Sequence, residues 1–191
     1  MRSVLSSPMN VELDVRPDFF IRRADPAEID VLGAIDDDAA ALFREAGLDL
    51  DFPPRHAFVL HERCRWEACL AAGTVLLAVD RASGPVGFAM LGRLDGEAYL
   101  EQISVRAEAT RRGIGTWLLG AVSVLAKAAD ERSIVLTTYG HLPWNRPFYE
   151  RNGYAAVHET ACGHQLAREL EIQRRWLPRP EQRIAMRRSL A

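Results

Sequence analysis

The residues whose types and spacing point most directly to chemistry are Arg111-Arg112-Gly113-Ile114-Gly115-Thr116. They follow a stretch with strand character and open a stretch with helical spacing. Glycines let the main chain come close to a ligand. The first N–H groups of a helix have no partner within it, and the helix dipole favours negative charge there. A strand, a glycine turn and a helix start in that order make a natural pyrophosphate cradle, and the two arginines add positive charge at its rim. No lysine follows the glycines, which excludes a Walker loop, and the third glycine of a dinucleotide fingerprint is missing. His61 and Cys64 lie three apart on a helical stretch, but no third ligand stands near them in the sequence, so no metal site is expected. Asp36-Asp37-Asp38 reads as helix capping or a solvated face before it reads as a trap for a cation.

The elements that must position the glycine turn follow from hydrophobic spacing. Residues 97–105 read as strand and 113–129 as a long helix with Trp117, Leu118, Val122 and Leu125 near one face. Residues 133–138 return to strand, so 97–105 and 133–138 are expected as parallel neighbours joined by a right-handed crossover. Upstream, 74–79 and 86–94 are strands and Asp95-Gly96 is a hairpin signal, which makes 74–105 an antiparallel meander. Residues 19–23 read as a short strand. Asp25 and Pro26 have the types of a helix cap and a first helical position, and Ile29, Leu32 and Ile35 recur at helical spacing. A second helical pattern covers 38–46 and stops at Gly47, and 55–72 is helical through Phe58, Leu60, Trp66 and Leu70. Downstream, a short helix at 145–151 ends at Gly153, 154–158 is strand, 164–176 is helical, and 184–188 is a last strand after Pro178 and Pro180. Residues 1–17 are expected as a loose arm, and 18–191 as a single domain.

Composition bounds the function classes. A chain of 191 residues, 48% hydrophobic and 26% charged, fits one domain that buries its own core without disulfides or metal. A net charge of −2 argues against a general nucleic-acid binder. No apolar run approaches the ~18 residues of a membrane helix, and the first residues lack the apolar stretch of a signal peptide. Three cysteines without a C-x-x-C pair imply reduced thiols and a cytoplasmic location. The last 27 residues hold seven Arg and three Glu, read as a solvated helix face. The last strand and the helix before it offer a seam for a homodimer.

Four segments, in order, resemble the GNAT superfamily of N-acetyltransferases: Leu100-Glu101-Gln102-Ile103-Ser104-Val105, then Arg111-Arg112-Gly113-Ile114-Gly115, then Leu136-Thr137-Thr138, and Asn145 through Tyr154. The strong part spans 74–158. One departure stands at Thr110, where members usually carry Gln or Arg. The resemblance implies an α/β acyl-CoA N-acyltransferase fold: a mixed, mostly antiparallel sheet with splayed central parallel strands, flanked by helices. It implies acetyl-CoA as acyl donor, with no metal. It assigns the pantetheine arm to the strand segment Ile103, Ser104 and Val105, with Ile103 and Val105 acting through their main chains. The pyrophosphate falls to the amides of Arg111, Arg112, Gly113, Ile114, Gly115 and Thr116. Asn145 would touch the pantetheine arm, and Tyr149 would sit near the sulfur.

The chemistry of such a transfer fits those residue types. A protonated amine cannot attack a thioester, so a base must take its proton, and the leaving thiolate gains from a positioned acid. Glu101 is the candidate base. Simple alternation puts Glu101, Ile103 and Val105 on one face and Gln102 and Ser104 on the other, unless a bulge intervenes. Tyr149 is the candidate acid, and His141 the second choice for base. Trp144 either lids the acyl site or staples the short helix. The acceptor is an amine on a small molecule or a peptide, and its identity rests on the helices at 27–72. Two other readings stand beside this one: a sensor that binds acyl-CoA without turnover, and an acetylase of protein N-termini or lysines.

Overall fold

A hydrophobic period of two through the middle of the chain, and of 3.6 around it, builds one eight-stranded sheet with helices on both faces. The computed structural model describes residues 12–190; residues 1–11, most of the expected arm, and residue 191 lie outside them. The strands are β1 (Asp14–Val15), β2 (Phe19–Arg23), β3 (Val75–Asp80), β4 (Gly84–Leu94), β5 (Glu97–Val105), β6 (Ser133–Tyr139), β7 (Ala155–Val157) and β8 (Arg183–Ser189). They stand in the order β1-β2-β3-β4-β5-β6-β8-β7, antiparallel except for the β5–β6 pair. The helices are α1 (Ile29–Ala39), α2 (Ala41–Glu45), α3 (Ala57–Ala71), α4 (Ile114–Ala128), α5 (Arg146–Arg151) and α6 (His164–Trp176).

Each element read from the sequence is present, with modest shifts at its ends. Two differences matter. Part of the expected arm is structured: Asp14 and Val15 pair with Ile21 and Phe20, the Trp117 indole donates to Asp14 at 2.5 Å, and Arg16 lies 4.4 Å over the Trp117 ring. A two-residue strand is too short to show alternation, so nothing in the local pattern announces it. The last strand is also not at an edge. β8 is paired with β6 on one side and β7 on the other, which leaves it no edge for the expected dimer seam.

The helices fall on two faces. On one, α4 lays Ile114, Trp117, Leu118, Leu119 and Val122 over Ile21, Leu76, Ala89, Leu100 and Ile134, with Phe148 and Tyr149 of α5 beside it. On the other, α1 and α3 cover β3 and β4 through Leu32, Ile35 and Leu70 against Leu77, Phe88 and Met90. There α6 packs Leu166 and Leu170 on Tyr99, Val135 and Ala185. Leu60 faces solvent, contrary to its place in the expected helical pattern. Each fully buried aliphatic side chain contributes about 1.5–3 kcal/mol, so α4 is fastened chiefly by its apolar stripe.

Asp95 and Gly96 take φ of 52° and 80°, the geometry of a tight hairpin turn between β4 and β5. The Asp95 carboxylate accepts from the Gln165 and Leu166 N–H groups, each at 2.9 Å, at the start of α6. The hairpin therefore fixes α6, and α6 carries polar residues toward the centre of the sheet. The basic tail is a solvated face only in part, at Arg168, Arg175 and Arg179. Arg174 pairs with Glu159, Arg187 with Glu97, and Arg183 is buried.

Leu118 is fully enclosed where α4 packs on the sheet. Leu118→Ala is expected to lower unfolding free energy by about 2–5 kcal/mol, measured by urea denaturation.

Candidate functional site

β5 and β6 are neighbours at only two register positions, Ala98↔Ile134 and Tyr99↔Val135. Beyond them the strands part. β6 continues beside β8 to Tyr139↔Arg183, and β5 continues beside β4 to Gly87↔Val105. The Arg106 N–H bonds the Val86 carbonyl at 2.8 Å. That bond makes Gly87↔Val105 a non-hydrogen-bonded pair and Phe88↔Ser104 a hydrogen-bonded one. The main-chain groups of Ser104 therefore face β4, while those of Ile103 and Val105 face the gap. The Ser104 hydroxyl is spent too, donating to Asp36 at 2.5 Å. Of the three strand residues expected to meet a ligand, Ile103 and Val105 present free backbone and Ser104 does not.

The glycine turn stands at the mouth of this gap. Gly113 takes φ 76°, a left-handed conformation that side chains oppose. α4 starts at Ile114 with no side-chain cap on its N-terminus, so its first amides stay open. Arg111, Gly113, Ile114, Gly115 and Thr116 all line one cavity of about 860 Å³. Arg112 does not. Its guanidinium lies 4.4 Å over the Phe19 ring and 3.7 Å from Asp80, drawn away from the turn. The cavity reaches both faces of the sheet: Ile114, Phe148 and Tyr149 wall it on the α4 side, and Phe58, Glu62 and Gln173 on the other.

Asn145 and Tyr149 line the same cavity. The Tyr149 ring is held edge-on between Phe148 and Tyr154, at 5.2 and 5.7 Å, and burial pushes its phenol up to about 12. Trp144 borders the cavity and meets the Phe43 ring edge-on at 6.4 Å. His141 lies behind the wall. Both its ring nitrogens are buried without a partner among the described residues, against the edge of Tyr139. Asp36 is half-buried and accepts from Gln102 at 2.6 Å as well as from Ser104, and Asp38 accepts from the Ala107 N–H at 2.7 Å. Those two carboxylates clamp α1 onto β5 and the turn after it.

Glu101 occupies a bulge. Met90 pairs with Gln102 and Leu91 with Leu100, leaving Glu101 as the extra residue. The bulge moves it to the face of Gln102 and Ser104 and off that of Ile103 and Val105, so simple alternation fails here. Its carboxylate crosses Gly92, where a Cβ would collide with Oε1. Both oxygens accept from Arg65 of α3 at 2.7 Å, a two-point ion pair. Arg65 also bonds Glu169 of α6 at 3.0 Å, and His61 meets the same Glu169 oxygen at 3.1 Å. Burial raises the Glu101 carboxyl, opposed by the hydrogen bonds and charge of Arg65.

Spacing along the chain missed Glu62. It lies one turn before Arg65 on α3 and lines the cavity. Its carboxylate makes no hydrogen bond among the described residues. Burial pushes its carboxyl up to about 8, helped by the charges of Glu169, Glu101 and Asp36 and opposed by Arg65. The ligating atoms of His61, Glu62 and Glu169 lie within 4.8 Å of one another. The Arg65 guanidinium already supplies positive charge there. Arg183 on β8 was likewise missed; it lines the cavity from a buried position. Neither residue sits in a motif, and each is brought to the site by elements distant in sequence.

Residues 71–156 match the family model described as Acetyltransferase (GNAT) domain. Several solved structures share the fold. One is an acetyltransferase of the GNAT family from Staphylococcus aureus, with TM-score 0.68 and 18% identity, covering 91% of this chain and 99% of that one. Another is PaiA N-acetyltransferase from Thermoplasma acidophilum in complex with coenzyme A, with TM-score 0.63 and 15% identity, covering 90% and 98%. A third is N-acetylglutamate synthase from Neisseria gonorrhoeae, complexed with coenzyme A and N-acetyl-glutamate, with TM-score 0.65 and 16% identity. That match covers 93% of this chain, which spans only 36% of the synthase. On the family match over residues 71–156 and the sheet topology, the chain is similar to the GNAT acetyltransferases and shares their fold.

Proposed function

We propose that the protein transfers an acetyl group from acetyl-CoA directly to a primary amine, with both substrates bound together. The observation that carries this reading is the single cavity that runs from the open amides of α4, beside the free backbone edge of β5, to the unpaired carboxyl of Glu62 on the opposite face. The residues fit the donor. The α4 amides suit a diphosphate. The Ile103 and Val105 main chains can bond an extended amide-bearing arm as a missing strand would. Asn145 offers a side-chain amide to the same arm. The acceptor lies on the α1–α3–α6 side, walled by Phe43, Phe52 and Phe58, which supports a small amine over a peptide.

Glu62 takes the role first expected of Glu101. A carboxyl near 8 is ionised in mildly alkaline solution yet more basic than an ordinary carboxylate, so it suits the proton that the amine nitrogen sheds as it attacks. Glu101 is held by Arg65 and acts on Glu62 by like-charge repulsion. The amine nitrogen attacks the thioester carbonyl, its proton goes to Glu62, and the C–S bond breaks. The gap-facing N–H groups of Ile103 and Val105 are available to the oxygen as it gains charge. Tyr149 assists the leaving sulfur as a hydrogen-bond donor. A phenol held near 12 lies about three units above an ordinary thiol, so complete proton transfer from it to a thiolate runs uphill and solvent delivers the final proton.

The reading is tested by thiol release from acetyl-CoA with a panel of primary amines. Saturable coenzyme A binding without release would leave only a sensor. Tyr149→Phe is expected to lower kcat by about tenfold or more with acetyl-CoA affinity unchanged in calorimetry. Glu62→Gln is expected to lower kcat by about 10²–10⁴-fold near pH 8. It should also abolish the rising limb of the pH–rate profile, because the base works only when its proton is off.

Stability should move the opposite way. The folded state raises the Glu62 carboxyl from 4.5 to about 8, so the folded form prefers the protonated group. Its contribution is complete below pH 4.5 and is lost as the pH rises through 8. Glu62→Gln should therefore melt higher than the wild type at pH 9 and alike at pH 4, by differential scanning calorimetry.

A further inference from the structure

Arg183 is the only arginine among the described residues in the buried class, at 8% exposure, and it has no carboxylate within ion-pair distance. Its neighbours are neutral. Nη2 donates to Gln173 at 2.5 Å and to Thr137 at 3.3 Å, and the guanidinium lies 4.6 Å over the Tyr139 ring. Nε is buried without a partner, and Nη1 makes no hydrogen bond among the described residues. The side chain borders the same cavity as Glu62, the one carboxylate among the described residues whose charge acts on it. A buried cation with unused donors costs free energy until an anion meets it. The surrounding residues also hold it in place: Gln173 is fixed by Glu169 at 2.9 Å, and Thr137 by the Tyr99 hydroxyl at 2.9 Å.

We propose that the acceptor carries a carboxylate together with its amine, and that Arg183 binds this carboxylate while Glu62 receives the amine proton. Acceptors would thus be amino-acid-like molecules and not simple amines. The single uncompensated positive charge suits a monoanion better than a phosphate dianion. This assignment rests on the acetyl-transfer reading above and names the substrate class of the same site.

The test compares matched pairs that differ only in the anion: L-alanine with L-alaninamide, L-leucine with L-leucinamide, L-phenylalanine with L-phenylalaninamide, and 4-aminobutyrate with 4-aminobutyramide. Thiol release should give a kcat/KM for the acid of at least one pair about ten- to a hundredfold above that for its amide, the worth of a charge-assisted hydrogen bond. Arg183→Gln should bring that ratio close to one by raising KM for the acid, with KM for acetyl-CoA unchanged. Arg183→Lys should retain part of the preference, and it serves if the Gln variant does not fold. Equal use of acids and amides by the wild type, or equal loss for both in Arg183→Gln, overturns the proposal while leaving acetyl transfer intact. If no amine is acetylated, the transfer reading fails separately. Calorimetric titration of N-acetyl-L-leucine and N-acetyl-L-leucinamide, with and without coenzyme A, then decides Arg183 alone. Binding of the acid that is lost in Arg183→Gln supports the anion site, and absence of such binding to the wild type overturns it.

Discussion

The structure turns on the point where two parallel strands stop bonding. Past Tyr99↔Val135, β5 and β6 each keep only their outer neighbour. The inner backbone groups of Ile103 and Val105 are then left without a strand partner in a half-buried place. Unpaired peptide groups are costly when buried, so the gap persists only because the rest of the sheet holds its two sides apart. β8 does this for β6 by pairing along its whole length, from Ser133↔Ser189 to Tyr139↔Arg183. β4 does it for β5, and the Asp36 clamp to Gln102 and Ser104 ties that strand down to α1. A gap of this kind is both a hydrogen-bonding slot and a passage between the faces of the sheet. On the proposed reading, a donor beside α4 meets an acceptor under α1, α3 and α6 through this passage.

Below the fork lies one continuous polar chain. It runs from Arg183 through Gln173, Glu169 and Arg65 to Glu101, with Tyr99 and Thr137 bridging the two diverging strands. The chain is internally balanced where Arg65 joins two carboxylates. Its imbalances lie at the cavity wall, where among the described residues the Glu62 carboxylate lacks a hydrogen-bond partner and Arg183 lacks an ion-paired carboxylate. Arg65 remains protonated because Glu101 and Glu169 outweigh the effect of its burial. Burial above all, and then three nearby carboxylates with Arg65 against them, push the Glu62 carboxyl up to about 8. The protonation of one side chain thus depends on several others packed around it.

Much of the site was legible along the chain because its signals are local. The glycine turn, the strand before it and the helix after it are consecutive, and the open amides follow from Gly113 and the uncapped start of α4. The Asp95-Gly96 hairpin and the Asp25-Pro26 helix start are set by side-chain chemistry within a few residues, and both stand in the structure. The divergence of β5 from β6 was expected from the resemblance, and its extent is set by the register of the strands on either side.

What the chain could not reveal depends on contacts between distant segments. A single bulge opposite Met90 and Leu91 turned Glu101 away from its expected face, and Arg65, 36 residues earlier, then claimed its carboxylate. Arg112 was drawn off the glycine turn by Phe19 and Asp80. The tail that looked like a solvated basic face became the strand that braces β6 and carries Arg183 into the cavity. Period, caps and turns are fixed by neighbours in sequence, so residue types alone determine them. Charge state, facing and partnership are fixed by neighbours in space, and only the assembled sheet and its two helical layers decide those.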